Sequence, residues 1–281
     1  MRATRPLASL ALSFLLLALL VGAWQLSSLT PRGGEAMVDP EYAALVGAAA
    51  AAGGQTPFPS PLEVGARILE HLADPFYVRG TNDQGIGVQL AYSLGRVLAG
   101  YGIAALVAIP LGFVIGMSPL LYGALNPFIQ VLRPIRPLAW MPLALYTIKD
   151  SAVSSIFVIF ICSVWPMLIN TAFGVASVRR EWLNVARTLE CSTLRTAFRV
   201  ILPAAAPTIM TGMRISIGIA WLVIVAAEML VGGTGIGYFV WNQWNNLSLA
   251  DIVTAILVIG LVGMVLDQML AMATRAVSYQ E

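Results

Sequence analysis

Six stretches of this chain are each long and apolar enough to cross a bilayer, and that leaves little choice of fold. A spanning helix needs about 20 predominantly apolar residues. The sequence supplies them at Leu7–Leu29, Gln89–Met117, Leu120–Ile148, Ile156–Val175, Thr208–Val231 and Ile252–Ala273. In hydrocarbon each backbone N–H and C=O must find its partner within the protein, so such stretches fold as helices. The expected class is all-α, integral to the membrane, with about six spans. Composition agrees: 58% of the 281 residues are hydrophobic and 11% are charged, against about 25% charged in soluble domains. The first stretch follows Arg2 and Arg5 as a signal peptide would. It runs longer than a signal h-region and no clean small-x-small site follows it, so it reads as a span.

Arginines set the orientation. The segment between the fourth and fifth spans carries Arg179, Arg180, Arg187, Arg195 and Arg199, and the C-terminal end carries Arg275. The connection between spans three and four has only Lys149, and that between five and six has no basic residue. The positive-inside rule then puts both termini and the basic loop in the cytoplasm. The expected organisation is an N-terminal span over 1–29, an external segment over 30–88, and a core over 89–281 with its cytoplasmic loop at 176–206. The external segment is acidic (Glu35, Asp39, Glu41, Glu63, Glu70, Asp74, Asp83), and within it "PSPLEVGARILEHL", Pro59 to Leu72, predicts an amphipathic helix outside the membrane.

Several chemistries are excluded. His71 is the single histidine and Lys149 the single lysine, so neither a histidine-based triad or zinc cluster nor a Walker phosphate loop can be assembled. "GGTGIG", Gly232 to Gly237, has the wrong spacing for a dinucleotide fingerprint and follows a span rather than a strand. Cys162 and Cys191 fall in an apolar span and the basic loop, a poor placement for a disulfide. The chain therefore does not read as an enzyme, and no cofactor, metal or nucleic acid of its own is expected.

Two places carry candidate function. In "RPIRPLAWMP", Arg133 to Pro142, two arginines stand among three prolines inside the third span. A buried charge there costs roughly 2.5 to 3.5 kcal/mol, and prolines prevent a regular helix. Irregular backbone at that depth is tolerated where it lines protein or a watery cavity. Arg133 and Arg136, with Trp140 in line, are therefore candidates for an anion path; the competing reading has the arginines snorkel to headgroups or cap freed carbonyls. Glu228 in span five is a further path candidate, against a structural carboxylate bonded to backbone or to Arg96. Asp267 is expected to pair with Arg214, and the small residues of "GIAALVAIPLGFVIG" (Gly102 to Gly116) to allow close helix packing. Of the tryptophans, Trp140, Trp165, Trp221, Trp241 and Trp244 include candidate interface anchors.

The second place is "REWLNVARTLECSTLRTAFRVILPAAAP", Arg180 to Pro207. Trp182, Val185, Ala186 and Leu189 recur at helical spacing and predict an amphipathic helix over Glu181–Glu190. Ser192 predicts an N-cap for a second helix through Val200, and Leu202-Pro203 a break before span five.

This loop resembles the cytoplasmic loop of ABC-importer permeases: an acidic-Ala-Ala triplet, three residues, glycine, nine residues, an aliphatic, one residue, then Leu-Pro. Asn184-Val185-Ala186, Glu190, Val200 and Leu202-Pro203 stand at those positions, with Asn184 in place of the acidic residue and Glu190 in place of the glycine. From about Pro57 onward the chain resembles the nitrate/bicarbonate/cyanate branch of these permeases, close to the sulfonate and taurine branch. The stretches that carry the resemblance include "DPFYVRGTNDQGIGVQL" (Asp74 to Leu90), "SLGRVLAGYG" (Ser93 to Gly102), "RPLAWMPLAL" (Arg136 to Leu145) and "SVWPMLINTAFGV" (Ser163 to Val175). Two more, "GMRISIGIAWLVIVAAEML" (Gly212 to Leu230) and "GTGIGYFVWNQWNNLSL" (Gly233 to Leu249), look most like nitrate permeases. Arg136 departs from the family pattern, and residues 32–56 match nothing in it.

The resemblance implies a type I ABC-importer permease fold in a bacterial inner membrane. It implies a second permease copy around one path, two separate ABC ATPase subunits that hold ATP and magnesium, and a periplasmic or lipid-anchored substrate-binding protein. Trp182, Asn184, Val185, Ala186, Leu189 and Glu190 would form the coupling helix that docks in an ATPase. The cargo implied is a small anion, nitrate or nitrite first, with bicarbonate, cyanate or an alkyl sulfonate behind it. A passive channel or secondary carrier would more often show inverted repeats, and the two halves show no similarity.

Overall fold

The apolar stretches are helical in the computed structural model, which describes residues 4–29, 58–80, 83–132, 134–135 and 137–277. In chain order the helices are α1 (Thr4–Leu29), α2 (Pro61–Ala73), α3 (Ile86–Met117), α4 (Pro119–Leu132), α5 (Trp140–Ile148), α6 (Ser151–Ala176), α7 (Arg180–Thr188), α8 (Leu202–Val231), α9 (Ile236–Asn245) and α10 (Leu249–Val277). Among the described residues the only strand-like pairing is an isolated bridge between Val78 and Gln84. Among the described residues, five segments are long and apolar enough to cross a membrane: Ala11–Ser28, Ile86–Met117, Ser151–Ala176, Thr193–Val231 and Leu249–Arg275.

The third expected span, Leu120–Ile148, is not one helix. It divides into α4 and α5, and a 3-10 turn at Pro137–Ala139 leads into the second. Pro134 lacks an N–H and cannot continue the helical ladder, and α4 ends at Leu132. Arg133 and Arg136, the central path candidates, lie outside the described residues.

The expected break at Leu202-Pro203 is absent. A short helical turn, Thr193–Thr196, runs through a π-helical segment, Ala197–Ile201, directly into α8, with Pro203 in the first turn. Pro203 forgoes one backbone hydrogen bond there, and the wider π turn just before it accommodates the ring without ending the helix. The helical stretch of 39 residues is thus continuous. Ser192 caps it as expected, its hydroxyl accepting the Arg195 N–H at 3.4 Å.

The chain divides into two compact units, Met1–Asp74 with Gln243–Ile256, and Pro75–Asn242 with Leu257–Glu281. The core of the second is built by α3, α6 and α8. Ala104, Ala108 and Ile115 of α3 pack with Val164, Met167, Leu168 and Ala172 of α6. The approach is close because α3 places Gly100, Ala104, Ala108, Gly112 and Gly116 on one line. A Cβ at Gly112 would stand 2.7 Å from the Leu168 carbonyl oxygen, and one at Gly116 2.5 Å from that of Ala172. This is the small-residue packing of membrane helices. A neighbouring cluster joins Val175, Ile201, Ala205 and Ile209, with Leu183 packed against it. Trp221 is buried in the bundle, its indole N–H donating to the Ile259 carbonyl at 2.9 Å, so it is a packing residue and not an interface anchor. Arg214 and Asp267 pair as expected, through two bonds of 2.6 Å.

Candidate functional site

Helix α7 is set by its own ends. Glu181 lies in its first turn and Arg187 in its last, each favourable to the helix dipole, and the Arg179 guanidinium lies 5.7 Å over the Trp182 ring. The predicted end at Glu190 is two residues long. Past Thr188, Glu190 takes a left-handed φ of 50°, its N–H donates to the Arg187 carbonyl at 2.9 Å, and the Cys191 N–H donates to the Ala186 carbonyl at 3.0 Å. These paired bonds make a Schellman C-cap, whose left-handed position favours glycine. The position at which this loop departs from the family's glycine is thus the one position of the turn where a Cβ is strained.

The apolar arc of α7 is split between two fates. Leu183 and Ala186 turn inward: Leu183 packs on the Val175–Ile201 cluster, and Ala186 is only 4% exposed. Trp182, Val185 and Leu189, at spacings of three and four, point away, with Leu189 70% exposed. Asn184 lies on the polar flank, its carbonyl accepting the Thr188 hydroxyl at 3.0 Å. Of the six candidate coupling residues, Ala186 therefore anchors the helix to this chain's own core. Trp182, Val185 and Leu189 form the surface it presents.

Glu228 is in a different environment. Its carboxylate is 1% exposed. Arg96 Nη1 donates to Oε1 at 2.7 Å, the Ser93 hydroxyl lies 2.8 Å from Oε2, and the Gly237 N–H donates to Oε2 at 3.1 Å. Arg96 also donates to the Thr234 carbonyl at 2.7 Å, the Ile236 N–H to Ser93 Oγ at 2.9 Å, and the Gly235 N–H to Gln89 Oε1. The first N–H groups of a helix have no partner within it, and Gly235, just before α9, has no side chain to cap them. Gln89, Ser93 and Glu228 do so from two other helices, and the carboxylate sits where the helix dipole favours negative charge.

This arrangement also accounts for the glycines of the turn. A Cβ on Gly235 would overlap the Glu228 carboxyl group, and one on Gly237 would overlap the Val225 carbonyl. Glu228 thus stands bonded to Arg96 and backbone, one of its two expected arrangements. Gln89 and Ser93 were not singled out from sequence. The signal was there: with Arg96 they recur at i, i+4 and i+7 in an otherwise apolar span. Trp140, which opens α5, is half-buried.

Comparison with known proteins adds family to geometry. Residues 108–278 match the family described as binding-protein-dependent transport system inner membrane component. The chain is 46% identical over 213 residues to the nitrate import permease protein NrtB of Synechocystis sp., covering 76% of this chain and 78% of that one. It is 43% identical over 223 residues to the bicarbonate transport system permease protein CmpB of the same organism, covering 79% and 80%. Among solved structures, an inward-facing MetNI methionine ABC transporter is similar in fold, with a TM-score of 0.60 at 12% identity, covering 68% of this chain and 95% of that one.

Proposed function

We propose that this chain, which belongs to the inner-membrane components of binding-protein-dependent transport systems, is the permease subunit of an ATP-driven importer for nitrate or nitrite. The observation that carries the cargo is the 46% identity to a nitrate import permease over most of both chains. Bicarbonate is the second reading, favoured by 43% identity to a bicarbonate permease over the same share. The chain itself transports and does not hydrolyse.

In this reading two copies of the chain surround one path. A substrate-binding protein delivers the anion from outside, and two ATPase subunits holding ATP and magnesium act from the cytoplasm. Both termini and α7 are cytoplasmic. Trp182, Val185 and Leu189 seat in a groove of the ATPase, as an amphipathic helix does when its apolar face finds one. Ala186 seats the helix on this chain, Asn184 lies on its polar flank, and Glu190 forms its left-handed end. The path runs past the break between α4 and α5, where Arg133, Arg136 and Trp140 meet the anion. A guanidinium about 4 Å from an anion gains roughly 4 kcal/mol at an effective dielectric of 20, enough to attract it and weak enough to release it. Glu228 serves the path indirectly, by fixing the turn that carries α9.

The test is uptake of labelled nitrate and bicarbonate by cells with the chain, without it, and with Arg133→Gln and Arg136→Gln combined. Nitrate uptake that requires the chain and is mostly lost in the double variant, with substrate-independent ATPase activity retained, supports the reading. Bicarbonate uptake alone moves the cargo to the second reading, and unchanged uptake in the double variant removes the arginines from the path.

A further inference from the structure

Helix α2 is tied at both ends to membrane-spanning helices. At its start, the Trp24 indole near the end of α1 donates to the Pro59 carbonyl at 3.1 Å, and its ring packs 5.8 Å from that of Phe58. At its end, His71 Nε2 lies 3.1 Å from Oδ1 of Asp251, in the first turn of α10. The other carboxylate oxygen of Asp251 accepts the Ser248 hydroxyl at 2.6 Å. All of these residues belong to one compact unit. One spanning helix ends and another begins where α2 is fastened, so both tethers hold it at the height of a single bilayer surface. Its 13 residues extend about 20 Å between them.

The distribution of side chains around α2 shows what that surface meets. On a helical wheel of about 100° per residue, Glu63, Arg67 and Glu70 fill one quarter, and Arg67 and Glu70 pair there at 2.8 Å. Val64, Ile68 and His71 form the inward face, with Val64 buried. The remaining arc, adjoining Ile68, holds Leu62, Ala66, Leu69, Leu72 and Ala73. Leu62, Leu69 and Leu72 are 76%, 70% and 63% exposed. The helix thus has one polar quarter for water, one face for its own chain, and an open apolar side between the tethers. Near its end α1 likewise leaves Leu26 exposed.

We infer that α2 is an interfacial helix whose Leu62, Leu69 and Leu72 side chains are sunk into the bilayer surface that α1 and α10 enter. A lipid surface suits the pattern because an amphipathic helix held at headgroup level places its apolar side at the acyl boundary and its charges in water. The ion pair on the polar quarter keeps that side wet without requiring anionic lipid. The helix then acts as a strap that fixes the ends of two spans at one depth. The inference does not depend on which anion is carried, and its failure would leave the transport reading intact.

The experiment uses the full-length chain in phosphatidylcholine bilayers with Cys162 and Cys191 replaced by alanine. Spin labels are placed singly through Leu62→Cys, Leu69→Cys and Glu70→Cys, and collisions with oxygen, which partitions into lipid, are compared with those of a water-soluble nickel chelate. The ratio of oxygen to nickel collisions should be about fivefold higher at Leu62 and Leu69 than at Glu70, as expected for one helix with a lipid side and a water side. Equal ratios at Leu69 and Glu70 would place the stripe in water and overturn the inference. Low collision with both reagents at Leu62 and Leu69 would show protein covering the stripe, and would overturn it equally.

Discussion

The turn around Glu228 and the loop around α7 both interrupt long helices, yet they treat their side chains in opposite ways. At Glu228 the chain closes on itself: the carboxylate, Arg96, Ser93, Gln89 and three backbone N–H groups satisfy one another within a buried knot. At α7 the chain buries Leu183 and Ala186 and leaves Trp182, Val185 and Leu189 outside. A buried polar group must find its partners where it is, whereas an apolar face can wait for another subunit. The difference separates side chains that satisfy one another within the chain from side chains left open on its surface.

The largest effect should follow from opening the knot. Glu228→Ala leaves Arg96 without its counter-charge, and breaking a buried pair from one side costs about 3–5 kcal/mol. The folded yield and thermal stability of the purified chain should fall sharply, with Glu228→Gln falling less because it preserves shape and some hydrogen bonds. If Glu228→Ala melts like the parent and loses only uptake, the carboxylate is a path residue and the contrast fails.

Next in size is Val185→Asp combined with Leu189→Asp. Exposed positions usually tolerate such changes within about 0.5 kcal/mol, so the chain should fold and melt normally. Losing two apolar anchors, each worth roughly 1.5 kcal/mol or more, should weaken ATPase association at least about a hundredfold. Co-purification and ATPase titration measure this. Ala186→Glu is expected to behave otherwise, destabilising the chain itself because its Cβ already faces the core. A variant pair in which both changes act only on docking would show that α7 is not two-sided.

The smallest effect is at Glu190. Glu190→Gly removes a left-handed non-glycine residue, and should raise stability by about 1 kcal/mol, a shift of roughly 2–4 °C in a melting curve. ATPase affinity should stay the same. A fall in affinity would mean that the Glu190 carboxylate is itself part of the contact.

How much of this was legible in the sequence depended on whether a signal was local. The spans at Leu7–Leu29, Gln89–Met117, Ile156–Val175 and Ile252–Ala273, the Ser192 cap, the Arg214–Asp267 pair and the small-residue line of α3 could be read because each rests on spacing along one or two helices. The split of Leu120–Ile148 into α4 and α5 was half legible. Its prolines announced irregular backbone, but apolar content alone could not say that no single helix crosses there. The expected break at Leu202-Pro203 is absent because a proline's effect depends on the turn before it, and the π segment that lets the helix run on leaves no compositional mark. Ala186 looked like part of an outward face because periodicity gives an arc without saying which half another element covers. The knot at Glu228 was legible in part: its bond to Arg96 and backbone was one of two expected arrangements, whereas Gln89 and Ser93 join it only through the fold.

The uninterrupted helix from Thr193 to Val231 has a mechanical consequence. At 1.5 Å per residue its 39 residues make a rod of about 58 Å, nearly twice the hydrocarbon thickness of roughly 30 Å. Pivoted near one end, such a rod moves its far tip by about 1 Å for every degree of tilt. A break at Leu202-Pro203 would have absorbed that motion at a joint. The π segment instead inserts extra backbone without ending the helix, so it changes which side chains face the bundle. The helix that begins just after α7 therefore runs to the Glu228 knot with no loop between the two.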